Sequence, residues 1–176
     1  MSIKINPQQF PSASVDISSL IESIAGGKAV LFVGSGFSSN AIGINGDILP
    51  TAKKLAQKIG ELGNFDAQDD LRYASEKYIR DKDQSALIEM LLDLFSIKDA
   101  LPHQKIIASA PWRRIYTTNY DTCIEEAGKI NGKRIHTVSL EDKPKDFLIN
   151  RNSCIHLNGS IKNLSAEYLN SSFKLS

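Results

Sequence analysis

The chain has no long apolar run, no excess of either charge and almost no cysteine, and each shortage removes a class of function. Its longest apolar stretches, such as residues 29–33, fall far short of the ~20 residues that cross a bilayer. The N-terminus lacks a basic segment followed by an apolar signal core. No membrane role is expected, and a cytoplasmic location is the default. Twenty-one Lys and Arg stand against twenty Asp and Glu, a formal net charge of +1, with neither sign gathered into a block. Direct nucleic-acid binding gains nothing from that balance, because a basic patch is its electrostatic footprint. Cys123 and Cys154 are the two cysteines, and no Cys-x-x-Cys pair occurs. This argues against a disulfide framework and a thiolate zinc site, so no metal is expected. Two lone cysteines are most often core residues. Internal repeats and low-complexity blocks are missing as well.

What is present fits one globular domain of 176 residues, 41% hydrophobic and 23% charged. Residues 1–13, with Pro7 and Pro11, read as an extended arm, and 14–176 as the domain. A helix over 14–25 ends at Gly26 and Gly27. The apolar run 29–33 then has the pattern of a strand covered on both faces of a parallel sheet. Apolar spacing predicts helices over 50–59, 66–80 and 84–95, which fall within a helical insertion spanning about 44–110. After a short helix over 103–110 come a strand over 114–117, a helix over 120–130, and strands over 134–138 and 154–157. Residues 165–176 are rich in serine and weakly patterned. Strands alternating with helices predict an α/β fold: a Rossmann-type, mainly parallel sheet with helices on both faces and the insertion after its first strand. Four predicted strands make a thin sheet, so the domain is expected to be the N-terminal part of a larger one.

A strand that ends in Gly-x-Gly at the start of a helix is suited to phosphate, because backbone amides and the helix dipole face the anion. Gly34-Ser35-Gly36-Phe37-Ser38-Ser39 follows the first strand but lacks the third glycine of the dinucleotide fingerprint. Near residues 54–57 the pattern is helical, without the strand-ending acidic residue that would bind a ribose. An ordinary dehydrogenase is thereby disfavoured. Gly27-Lys28 is followed by Ala29, which rules out a phosphate-loop NTPase. Taken alone, the glycine loop is a nucleotide site or a plain tight turn.

Thr117-Thr118-Asn119-Tyr120-Asp121 falls at the C-terminal end of a predicted strand, the edge where open α/β sheets place ligands. In order along the chain, Gly34-Ser35-Gly36-Phe37-Ser38, Thr117-Thr118-Asn119-Tyr120-Asp121 and His156-Leu157-Asn158-Gly159-Ser160 resemble the sirtuin family, and especially its bacterial branch found in antiphage defence proteins. The resemblance runs from about Lys28 to Ile161. It implies NAD as substrate or ligand, lying in a crevice between the sheet and the insertion. It also implies that Gly34, Ser35, Gly36 and Ser38 border the NAD phosphates, with Thr118, Asn158, Gly159 and Ser160 along the same crevice. Asn119 would hold the nicotinamide ribose and a water, and Asp121 would support it as a second catalytic residue. Such types suit a glycosidic bond that breaks with oxocarbenium character. Asn119 also suits the N-cap of the following helix, a role compatible with the site role.

The family pattern breaks in three places. Sirtuins carry a histidine immediately before the glycine of the third motif, where this chain has Asn158 before Gly159. His156 shares the strand face of Asn158 but lies about 6–7 Å further back, beyond hydrogen-bond reach of a ribose held in the family manner. His156 is therefore either catalytic on a differently seated ribose or a satisfied core histidine; His103 and His136 read as structural. The four-cysteine zinc module of deacetylases has no counterpart, which disfavours deacetylation. Later glycine and serine segments that complete the family's pocket are also missing before Ser176.

The resemblance implies an NADase, releasing nicotinamide and an ADP-ribose product and depleting cellular NAD, switched on by a sensor domain or protein or by homo-oligomerisation. A catalytically silent sensor of NAD or ADP-ribose is the alternative from another class. A third reading is an assembly scaffold that uses the arm over 1–12 and the insertion as contacts.

Overall fold

The computed structural model describes residues 16–139, 142–143 and 152–171. The N-terminal arm, much of the polar turn over 141–145 and the end of the serine-rich tail lie outside them. The elements run α1 (Ile17–Ala25), β1 (Val30–Val33), β2 (Ile42–Gly43), α2 (Ala52–Gly63), α3 (Leu71–Asp81), α4 (Ser85–Phe95), β3 (Ile97–Asp99), α5 (Pro102–Ser109), β4 (Arg114–Thr117), α6 (Cys123–Ile130), β5 (His136–Ser139), β6 (Ser153–His156), a 3-10 turn (Ile161–Asn163) and α7 (Ala166–Ser171).

The protein is an α/β fold whose parallel sheet has four strands in the order β1-β4-β6-β5, flanked by helices. Register aligns Val33 with Thr117, Thr117 with His156, and His156 with Ser139. That single row runs across the C-terminal edge of all four strands, so the chain following β1 and the chain following β4 emerge side by side. β2 and β3 form a separate antiparallel pair, which period-based reading misses because neither strand is long enough to show alternation.

Helix starts follow ordinary capping chemistry. Thr51 caps α2 by accepting from the Lys54 amide at 3.3 Å, and Asp70 caps α3 by accepting from the Tyr73 amide at 2.9 Å. The helix α2 stops at Asn64 in the left-handed conformation, φ 57°. The spacing of Leu55, Ile59, Leu71, Ala74, Tyr78, Leu87 and Leu91 turns one face of each insertion helix inward to a shared core. Each large aliphatic side chain buried there contributes about 2 kcal/mol of transfer free energy. Ile161 and Leu169 join that core, so the segment after β6 is pinned to the insertion. The helix α7 lies where the sequence pattern was weak; Ser165 accepts from the Tyr168 amide at 3.3 Å, and the anchor is Leu169.

The second core joins the sheet to α5 and α6 through Ile115, Cys154, Ala108, Cys123, Ile124 and Ala127. Both cysteines are free and buried. Burial pushes the Cys123 thiol up to about 12 and the Cys154 thiol well above its ordinary range. Each is therefore a neutral, unreactive core group at physiological pH. β1 departs from the expected strand covered on both faces: Leu31 and Val33 pack on the α5/α6 core, whereas Val30 is 52% and Phe32 63% exposed. An unbroken apolar run does not reveal that β1 lies at one end of the sheet order. Among the described residues, no helix is long and apolar enough to cross a membrane.

Candidate functional site

The glycine loop leaves β1 as successive tight turns. Phe37 donates to the Gly34 carbonyl at 2.8 Å and Ala41 to that of Ser38 at 3.0 Å, and no α-helix starts until α2. The expected helix dipole is therefore missing from this loop. What remains for an anion is backbone: the amides of Ser35 and Gly36, both exposed, have no partner among the described residues. A Cβ built on Gly36 meets nothing within 4 Å, whereas one on Gly34 comes within 3.3 Å of the Thr118 hydroxyl. Gly34 thus allows the loop to approach the asparagine motif, and Gly36 faces open space.

Asn119 joins the two motifs. Its amide nitrogen donates to the Gly34 carbonyl at 3.0 Å and to the Ser38 hydroxyl at 2.9 Å, across more than eighty residues of sequence. Carbonyl oxygen only accepts, so the amide orientation is fixed by chemistry. Ser38 passes the chain on by donating to Asp121 Oδ1 at 2.9 Å, and the same oxygen accepts from the Cys123 amide at 2.9 Å. Both amide hydrogens of Asn119 are thereby committed, while its Oδ1 has no partner among the described residues. Asn119 can offer a ligand an acceptor, suited to a ribose hydroxyl or a water.

The helix-cap reading of Asn119 does not describe this geometry. The N-cap of α6 is Thr122, whose hydroxyl accepts instead from the Ile97 amide at 3.0 Å, and Asp121 receives the first helical amide. Burial pushes the Asp121 carboxyl up, against the lowering effect of the Cys123 amide and the Ser38 hydroxyl.

His156 is fully enclosed, at 0% exposure. Its Nδ1 lies 2.8 Å from the Asn119 carbonyl oxygen and its Nε2 2.9 Å from Glu125 Oε1. Thr137 donates to that same carboxylate oxygen at 2.7 Å, and Glu125 Oε2 is buried without a partner among the described residues. Of the two readings, His156 takes the satisfied, enclosed arrangement, behind Asn119 rather than beside open space. Burial works against charge on the imidazole, but the hydrogen bond and charge of Glu125 outweigh it and hold the pKa above 6.5. For Glu125, burial is likewise outweighed by the His156 hydrogen bond and charge, and the pKa lies below 4.5.

A raised imidazole pKa stabilises the fold fully below the unfolded value near 6.5 and loses that contribution as pH rises through the folded value. Thermal melts should therefore show stability falling as pH rises above the unfolded value near 6.5, and the Glu125→Gln variant should flatten that limb. A limb of unchanged slope in Glu125→Gln would contradict the pairing.

Asn158 donates its side-chain amide to the Thr118 carbonyl at 3.0 Å, bringing the third motif against the second. Gly159 takes φ +87°, a turn that favours glycine. Ser160 is buried and accepts from the Lys162 amide at 3.4 Å, capping the 3-10 turn rather than facing a cleft. Gly34, Ser38, Thr118, Asn119, Asp121 and Asn158 are thus brought together. Ser35 and Gly36 border them through the loop, while His156 and Ser160 point into the protein.

Three residues that hold this arrangement escaped the motif reading. Gln104 of α5 is fully buried and clamps the loop from behind, donating to the Phe37 carbonyl at 2.6 Å. Glu125 holds His156, and Thr137 holds Glu125. The legible signal was Glu125, a lone carboxylate among the otherwise apolar inward positions of α6. Glu125, Cys154 and His156 also place potential metal-ligand atoms within 4.8 Å of one another, although the His156–Glu125 contact already occupies two of those atoms. A cleft of about 530 Å³ lies at the α2–α3 turn, lined by Gln57, Asn64, Asp69 and neighbours, none of them a motif residue. Compared with protein-family models and with curated proteins, the chain finds no match in either.

Proposed function

We propose that this chain is a sirtuin-like NAD-binding module that cleaves the bond between nicotinamide and ribose. One observation carries the reading. The Asn119 amide is tied to both Gly34 and Ser38 at the C-terminal edge of parallel strands, so a loop whose Ser35 and Gly36 amides have no partner among the described residues lies against the residue that offers an acceptor oxygen. Ser35 and Gly36 amides would receive the pyrophosphate. Asn119 Oδ1 would accept from a ribose hydroxyl or an attacking water. Departure of neutral nicotinamide leaves an oxocarbenium-like ribose at C1′. Water adds there, and its proton passes to solvent, giving ADP-ribose. Because bond breaking leads, a strong base is not required for the first step. In a bacterial cell, activation by a sensor partner or by self-assembly would make NAD depletion the outcome, as in antiphage effectors.

The enclosure of His156 and the presence of Asn158 before Gly159 favour a second reading, a module that binds NAD or ADP-ribose without turnover. Product analysis separates the two. Nicotinamide and ADP-ribose appearing together from NAD support the enzyme; calorimetric binding with no product supports the sensor; neither binding nor product sinks both.

The glycine loop supplies a sharper expectation. Gly36→Ala should leave thermal stability within about 0.5 kcal/mol, as for a surface change. A methyl group inserted where phosphate must approach costs about 1–3 kcal/mol, so NAD affinity should fall about tenfold or more by calorimetry. Unchanged affinity would remove the loop from the site.

A further inference from the structure

We infer that the buried His156–Glu125 pair is the positioning device of this site, holding the Asn119 backbone so that the Asn119 side chain can latch the glycine loop. The inference deepens the proposed function and rests on Asn119 being the residue that addresses the ligand.

The imidazole bridges the end of β4 and α6. Its Nδ1 meets the Asn119 carbonyl at the end of β4, and its Nε2 meets Glu125 on α6. A carbonyl oxygen has no hydrogen to give, so Nδ1 must carry one and donate it. The Nε2···Oε1 contact then needs one proton, shared by two groups that are both almost completely enclosed. Thr137 of β5 donates to the same carboxylate oxygen. Four elements thus converge on the carbonyl of the same residue whose side chain reaches Gly34 and Ser38.

Stability alone does not account for the arrangement. Glu125 Oε2 is buried with no partner among the described residues, and a buried ion pair is commonly no more stable than well-packed apolar residues of similar size. The pair also has no access to a ligand of its own. Its outward effect passes through Asn119, which makes His156 and Glu125 positioning residues rather than catalytic ones. The other charged groups that act on the pair are Asp121 at the start of α6 and Lys162 on the 3-10 turn, and the Cys154 thiol beside it stays neutral.

The test needs no NAD. In the isotope-labelled full chain, solvent exchange of the two Asn119 side-chain amide protons reports directly on the latch to Gly34 and Ser38. Glu125→Gln should speed that exchange about tenfold, the change expected for one hydrogen bond. In the wild type, once the base-catalysed rise with pH shared by all amides is divided out against an exposed asparagine of the same chain, the exchange should also accelerate as pH rises through the His156 titration, read from the imidazole nitrogen shifts. Leu91→Ala, in the insertion core, lowers global stability and should leave the Asn119 exchange unchanged. Equal acceleration in Leu91→Ala, or none in Glu125→Gln, overturns the inference. Should Glu125→Gln not fold, Thr137→Val weakens the same carboxylate anchor one step removed; a smaller acceleration is expected there, and none overturns the inference. Because these readouts come from the free protein, a positive result with no NAD turnover would sink the proposed function and leave the positioning role standing.

Discussion

Replacing Asn119 with alanine should lower nicotinamide release from NAD by about 10²–10³, the loss typical of removing one preorganised polar group from a reacting centre. The expected effect has two parts. The acceptor oxygen offered to ribose or water disappears, and the Gly34 carbonyl and Ser38 hydroxyl lose their common donor. The second part frees the glycine loop, so KM for NAD should rise as kcat falls. Asn119→Asp separates the two. It keeps an acceptor but cannot donate to the Gly34 carbonyl, so it should bind NAD poorly even though it retains oxygen at the same place. Full activity in Asn119→Ala would remove this residue from the chemistry, whatever its hydrogen bonds.

Glu125→Ala should be the most destabilising single change near the site. It leaves the His156 ring enclosed with its Nε2 unpaired and takes the acceptor from the Thr137 hydroxyl. Breaking one side of a buried pair costs about 3–5 kcal/mol, a large share of the roughly 5–15 kcal/mol that holds a domain together. For a chain of this size the melting temperature should fall by about 10 °C. Glu125→Gln keeps volume and one hydrogen bond, so it should lose distinctly less. Equal losses in the two variants would show that charge, not shape and bonding, is what the site requires; loss in neither would mean that the pair is dispensable to the fold.

The sequence was most informative where a local pattern meets a simple rule. Apolar runs and helical spacing located the four strands of the parallel sheet and the three insertion helices to within a few residues, because burial on one face writes itself at period 3.6 and buried strands write themselves as β-branched runs. The strand end at Thr117 put Asn119 just past the C-terminal edge of the sheet for the same reason. What failed depended on neighbours distant in sequence. Nothing local to residues 29–33 says that β1 is at one end of the sheet order, or that Phe32 is open to solvent. The glycine loop looked like the start of a helix, yet turns from Gly34 to Ala41 carry it on to α2. The sequence allowed Asn119 a capping role beside a site role, and gave no sign of its actual partners at Gly34 and Ser38, more than eighty residues away. The fate of His156 was likewise set by Glu125, itself held by Thr137, on other elements, and its place two residues before Asn158 carried no sign of them.

The central claim is that residues 34–38 and Asn119 form one NAD site, and an amide-resolved titration of the labelled chain with NAD tests it most directly. The account predicts that the largest shifts fall on the Ser35 and Gly36 amides and on the Asn119 side chain, saturating together. Shifts gathered instead around Gln57, Asn64 and Asp69 at the α2–α3 turn, or no saturable shifts at all, would contradict it.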